Sequence, residues 1–257
     1  MNLSRRAALA GALGLAGVPA SAAPLAAVPI DRLQSKWWRE RHDAKLREKL
    51  AGPVELVFLG DSITENYEKS GAPALADFRP VWQRFYGDRH ALNLGFKGDA
   101  TSHLLWRMTH GEIDGIAPKA AVILIGANNL GRAHWPTADT VAGIVAVVAT
   151  ARQKLPKTQI LLLGILPSAR SAWASQTTAE VNAALAARYA SGREAMVRYS
   201  DAGHGLERQG QADPDLFYDP RLTPPEPALH PTPDGMARIA LAIEPMLAAM
   251  LGDRRHG

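Results

Sequence analysis

The sequence predicts an α/β fold built on an open, mostly parallel five-stranded sheet with helices on both sides. Three observations carry this expectation. Short apolar runs alternate with longer helix-prone stretches along most of the chain, the pattern of strand–helix–strand units. The runs at 120–125 and 159–163 are almost continuously apolar, as strands covered on both faces must be. The chain has 257 residues, 47% of them hydrophobic, which suits one large α/β domain or two small ones. With no internal repeat and no linker after residue 52, one domain over 53–251 is expected.

The elements follow in order. Residues 1–23 read as an export signal outside the fold. Ser4-Arg5-Arg6-Ala7-Ala8-Leu9 carries paired arginines, 8–18 is a short apolar run, and Ala20-Ser21-Ala22 has the form of a cleavage site. The arginine pair points to the twin-arginine route, and hence to a periplasmic or secreted protein. The run is too short for a permanent membrane anchor. Residues 24–52 are an Ala/Pro-rich linker followed by a charged helix, with Leu46 and Leu50 spaced i,i+4. Strands are expected at 54–59, 91–94, 120–125, 159–163 and 196–199. Helices are expected near 78–86, 102–110, 137–154, 176–190 and 232–251.

Composition removes several chemistries. With no cysteine there is no disulfide framework, no thiolate nucleophile and no Cys-ligated metal. The formal charge is +4, and it becomes +2 (27 Lys+Arg against 25 Asp+Glu) once Arg5 and Arg6 leave with the signal. The basic residues are scattered, so nucleic acid is not an expected partner. The histidines show no compact ligand spacing, so neither a metal nor another cofactor is expected.

Active sites of such folds lie at the carboxyl ends of the strands. There the sequence places Gly60-Asp61-Ser62, Gly95-Phe96-Lys97-Gly98-Asp99, Gly126-Ala127-Asn128-Asn129 and, before the last helix, Leu229-His230-Pro231. Acyl transfer needs a hydroxyl nucleophile, an imidazole to take and return its proton, and donors for the oxyanion. Ser62 supplies the hydroxyl and its own N–H, Gly95 an unobstructed N–H, Asn128 a side-chain amide and His230 the base. A serine at such a boundary also serves simply as a helix cap. Asp61 and Asp99 read as residues that fix loops. Ile63, Ala127 and Leu229 adjoin these residues and are expected to wall the acyl pocket.

These blocks resemble the SGNH/GDSL hydrolases. The run Leu92–Asp99, then Leu105-Trp106-Arg107, Gly111-Glu112, Pro118-Lys119, Gly126–Asn129 and Leu163–Pro167 is similar to the catalytic subunits of intracellular platelet-activating-factor acetylhydrolase and their bacterial relatives. The resemblance covers about residues 37–251. It implies a flavodoxin-like three-layer sandwich and ester hydrolysis through an acyl-serine, with Ser62, His230, Gly95 and Asn128 in the roles above. An exported esterase for short acyl groups, acetyl first, is the expectation. The relatives can pair as dimers, which allows a homodimer without marking an interface.

One departure stands out. The family carries Asp three residues before the histidine, and this chain has Pro227 there. Glu226, Asp219 or Asp215, or a backbone carbonyl can replace it, and Glu226 is preferred for its reach. The missing aspartate also motivates a non-catalytic binding protein. A thioesterase or lysophospholipase with a longer acyl site is a further alternative.

Overall fold

The computed structural model describes residues 22–71, 76–189, 192 and 194–257. Most of the expected export signal, residues 1–23, therefore lies outside the described residues. Five strands form one parallel sheet: β1 (Leu56–Gly60), β2 (Ala91–Gly95), β3 (Ala120–Leu124), β4 (Gln159–Leu163) and β5 (Val197–Ser200), in the order β2-β1-β3-β4-β5. Among the described residues eight α-helices accompany them: α1 (Lys36–Glu48), α2 (Ser62–Glu65), α3 (Arg79–Tyr86), α4 (Thr101–Thr109), α5 (Ala127–Gly131), α6 (Thr137–Lys154), α7 (Ala172–Tyr189) and α8 (Pro233–Leu251). A two-residue antiparallel ribbon, β6 (Glu207–Arg208) with β7 (Gln211–Ala212), lies apart from the sheet.

Side-chain alternation makes three layers. Leu56, Phe58, Ala120, Val122, Leu161 and Leu163 face one core, shared with Phe78, Val81 and Phe85 of the α3 region and Met236, Ile239 and Ile243 of α8. Val57, Leu59, Ala121, Ile123, Ile160 and Leu162 face the other, shared with α4, α6 and α7. Every residue of β1 and β3 is buried, which is why these strands carry no polar positions. The fold is the α/β/α sandwich that the strand–helix alternation predicts.

The five predicted strands and six predicted long helices all form, with ends shifted by a few residues. The short α2 and α5 had no periodic signal. A four- or five-residue helix is too short to display one.

The register positions the site. Gly60 pairs with Gly95 on one side and with Leu124 on the other. The carboxyl ends of three adjacent strands thus deliver Ser62, the 95–99 loop and Asn128 to one rim. Buried Arg107 braces that rim from below. It donates to the carbonyls of Leu94 and Gly60 at 3.2 Å each and to Asp99 Oδ2 at 2.8 Å, and it also pairs with Glu112.

Candidate active site

Ser62 is the first residue of α2, one position inside the cap. Asp61 is the N-cap, its Oδ1 accepting the Ile63 N–H at 3.0 Å. Capping is thereby assigned to Asp61, and the Ser62 hydroxyl is left for other work. Ser62 Oγ lies 3.0 Å from His230 Nε2. On the other side of the imidazole, His230 Nδ1 lies 2.7 Å from Asp219 Oδ1. Asp219 Oδ2 accepts the backbone N–H of His230 at 2.5 Å and of Leu229 at 2.8 Å. Burial opposes the Asp219 charge, but these hydrogen bonds and the facing imidazole outweigh it and hold the carboxyl below its ordinary range. The Tyr218 ring stacks on His230 with centroids 5.4 Å apart.

The preference for Glu226 as the acid is corrected here. Glu226 is exposed, and among the described residues its side chain makes no hydrogen bond or ion pair to His230; its backbone N–H donates to the Asp219 carbonyl at 3.0 Å. That bond closes the 219–226 loop on itself and brings a residue eleven positions before His230 against the ring. Asp219 starts a 3-10 turn (Asp219–Arg221), so its carboxylate is aimed by a rigid element. Asp215 pairs with Arg208 at the surface. The sequence offered Asp219 beside Glu226 and Asp215 without ranking it first, since only the loop's fold sets which carboxylate arrives.

Gly95 is corrected as an oxyanion donor. Its N–H donates to Asn93 Oδ1 at 2.8 Å within the buried end of β2, so it is not available to substrate. Its lack of a side chain serves packing instead. A Cβ there would stand 2.2 Å from the Glu65 nitrogen, and α2 could not lie on the strand. Gly98 is the donor that sequence reasoning missed. It has φ +79°, a value that favours glycine. It lines a cavity with Asn128, and its N–H has no acceptor among the described residues. The second glycine of Gly-Phe-Lys-Gly-Asp was the available signal.

Asn128 is buried at the start of α5. Its amide donates to the Asp99 carbonyl at 3.0 Å and reaches Asp61 Oδ2 only at 3.4 Å. The second contact is long for a hydrogen bond, so that N–H can turn to a better acceptor. Asp61 is wholly buried. Desolvation pushes its carboxyl up to about 6, against the Ile63 N–H that favours the anion. Asp99 fixes its loop by accepting from Arg32 at 2.9 Å, Trp38 at 2.8 Å and Arg107 at 2.8 Å.

Of the three expected pocket walls, Leu229 lines a cavity of about 260 Å³ beside Asp219, with Leu130, Ala174, Arg170 and Pro227. Ala127 is half-buried against the α6 side of the core. Ile63 is corrected. It is 2% exposed and packs into the α8 core, because the second residue of α2 faces inward. Among the described residues, no cluster of three or more His, Asp or Glu side chains is arranged to hold a metal ion. None of the described helices is long and apolar enough to cross a membrane.

A parallel α/β sandwich with Asp, His and Ser in hydrogen-bonded sequence at its carboxyl rim has the architecture of a serine hydrolase. Comparison with known proteins narrows the class. Residues 58–238 match the model of the GDSL-like Lipase/Acylhydrolase family, and the chain belongs to that family. Over 131 residues it is 34% identical to human platelet-activating factor acetylhydrolase IB subunit alpha2 and 33% identical to human subunit alpha1. Those segments are 51% of this chain and 52% and 51% of the relatives, so the chain spans about half the length of the curated relatives it matches. The crystal structure of a GDSL-like lipase from Bacteroides thetaiotaomicron superposes with a TM-score of 0.63 at 19% identity, covering 82% of this chain and 97% of that one.

Proposed function

We propose that the protein is an exported serine esterase that removes short acyl groups, acetyl foremost, from ester substrates. The observation that carries this reading is the chain Asp219 Oδ1–His230 Nδ1 at 2.7 Å and His230 Nε2–Ser62 Oγ at 3.0 Å. It supplies the acid that Pro227 lacks and removes the motive for a non-catalytic binding protein.

The chemistry follows from the geometry. His230 Nε2 takes the Ser62 proton as Oγ attacks the ester carbonyl carbon. The carbonyl oxygen becomes an oxyanion, with the Ser62 and Gly98 N–H groups and the Asn128 amide as donors. Asp219 holds the proton on Nδ1, orients the ring and stabilises the imidazolium without accepting the proton. The tetrahedral species collapses, the alcohol leaves with the proton returned by His230, and an acyl-serine remains. Water then attacks that ester with His230 again as base. Carboxylic acid is released, and Ser62 regains its proton.

Short acyl specificity is supported by the acetylhydrolase relatives. The purified protein is expected to hydrolyse p-nitrophenyl acetate faster than the octanoate, and Ser62→Ala to abolish both. A preference for octanoate would sink the short-acyl part and favour the longer-chain alternative. Export is supported by the Arg5-Arg6 segment alone. Replacing both with lysine should strand the protein in the cytoplasm, whereas undiminished export would exclude the twin-arginine route.

A further inference from the structure

A second cavity, of about 320 Å³, borders the Gly98 and Asn128 side of the site, and Arg32, Arg132, Ser102 and His103 line it as well. Two guanidiniums meet over one backbone position there. A Cβ on Gly98 would stand 3.4 Å from Arg32 Nη1 and 3.6 Å from Arg132 Cζ. Arg32 shares Asp99 with buried Arg107, which also pairs with Glu112. Asp99 and Glu112 are thus taken up by Arg32 and Arg107, and Asp31 Oδ1 accepts the Leu33 N–H. Arg132 is exposed and has no carboxylate within ion-pair distance among the described residues.

Two further residues of the lining, Ser102 and His103, carry open donors. Ser102 is 0% exposed, and its Oγ has no hydrogen-bond partner among the described residues. It is the second residue of α4, a nine-residue helix, and its N–H also lacks an acceptor there. His103 Nδ1 accepts the Ala100 N–H at 2.9 Å. With Nδ1 occupied as an acceptor, the ring proton sits on Nε2 as one more donor, and burial lowers the pKa of the ring. An unpaired guanidinium, an orphaned hydroxyl and a helix N-terminus together complement an oxyanion.

We propose that this cavity is a subsite for an anionic group, a phosphate or carboxylate, carried by the ester substrate next to its scissile carbonyl. The word substrate rests on the esterase reading; the anion site does not. The enzyme would then act on acylated metabolites or headgroups that are already charged, and neutral alkyl esters would be poorer substrates than their charged counterparts, while activated p-nitrophenyl esters still report turnover.

Two measurements on the purified protein test this. The first follows acetate release from 1-acetylglycerol and from 1-acetylglycerol 3-phosphate, with 3-acetylglycerate as the carboxylate arm. At low ionic strength kcat/KM should be about tenfold or more higher for a charged ester, and which charged ester leads assigns the anion. The ratio should shrink with added salt, since surface charge attraction is screened. Arg132→Gln should remove most of the ratio, and Ser102→Ala about half of it on a logarithmic scale. The second titrates inorganic phosphate calorimetrically into wild type and Arg132→Gln, with binding expected only in the first. A wild-type ratio near one, or a ratio unmoved by Arg132→Gln, overturns the proposal; phosphate binding without a ratio would mark a site for free anion instead. If no ester is cleaved and a fluorophosphonate does not label Ser62, the esterase reading fails. Arg132-dependent phosphate binding would still uphold the anion site in that case.

Discussion

Replacing Asp219 by asparagine separates the roles of its two oxygens. In the native site Oδ1 accepts from His230 Nδ1 at 2.7 Å, and Oδ2 accepts from the adjacent backbone N–H groups of His230 and Leu229 at 2.5 and 2.8 Å. The amide oxygen of Asp219→Asn can keep both backbone donors, so the loop should stay folded. Its NH2 then faces Nδ1 and forces the imidazole proton onto Nε2. That nitrogen lies 3.0 Å from Ser62 Oγ and, once protonated, cannot accept the serine proton. The equivalent change in a Ser-His-Asp enzyme lowers kcat by about 10⁴, or roughly 5.4 kcal/mol of transition-state stabilisation at 1.36 kcal/mol per tenfold. The assay is kcat on p-nitrophenyl acetate, with the Tm of the variant measured beside wild type. Glu226→Gln should stay within about threefold of wild type, since its side chain makes no hydrogen bond or ion pair to the ring. A loss of less than about tenfold in a folded Asp219→Asn, or an equal loss in Glu226→Gln, would refute Asp219 as the orienting acid.

Two further outcomes follow from the same geometry. Asn128→Ala should lower kcat by about 10²–10³ with little change in KM, the usual cost of one oxyanion donor; a change confined to KM would place Asn128 in ground-state binding. Asp61→Asn should stabilise the protein at neutral pH. Burial raises Asp61 from its ordinary 3.8 to about 6, so between about pH 4 and 6 the folded state holds a proton that the unfolded chain releases. Stability therefore falls as pH rises through that window and stays lower above it. Removing the charge should recover up to about 3 kcal/mol above pH 6 and almost nothing at pH 4; Tm measured across this range checks it, and a pH-independent difference would contradict the raised Asp61.

Much of the fold was legible because its signals are local. The strands at 120–125 and 159–163 announce themselves by unbroken apolarity, and α6 and α8 by length and helix-forming composition. Ser62 and Asn128 were legible as polar residues two and four positions after strands, and His230 as the histidine three positions before α8. Two site features were hidden and a third, Asp219, was one alternative among several, each for a different reason. Ile63 adjoins Ser62 in sequence, but the helical turn sends it to the opposite side. Gly95 and Gly98 look equivalent as letters, yet the Asn93 side chain occupies the first N–H and leaves the second. Asp219 sits beyond a loop whose closure depends on the Glu226 N–H finding the Asp219 carbonyl.

Periodicity and the residue types at strand ends were thus enough to place the elements and to nominate the nucleophile and the base. Both are properties of neighbours along the chain, and the backbone's own repeat turns them into position. Which carboxylate meets His230, which N–H groups stay open, and which arginines gather over Gly98 depended on contacts between segments tens of residues apart. Those contacts are decided by competition among many donors and acceptors of the same kind, and only the folded chain settles which partner each one takes.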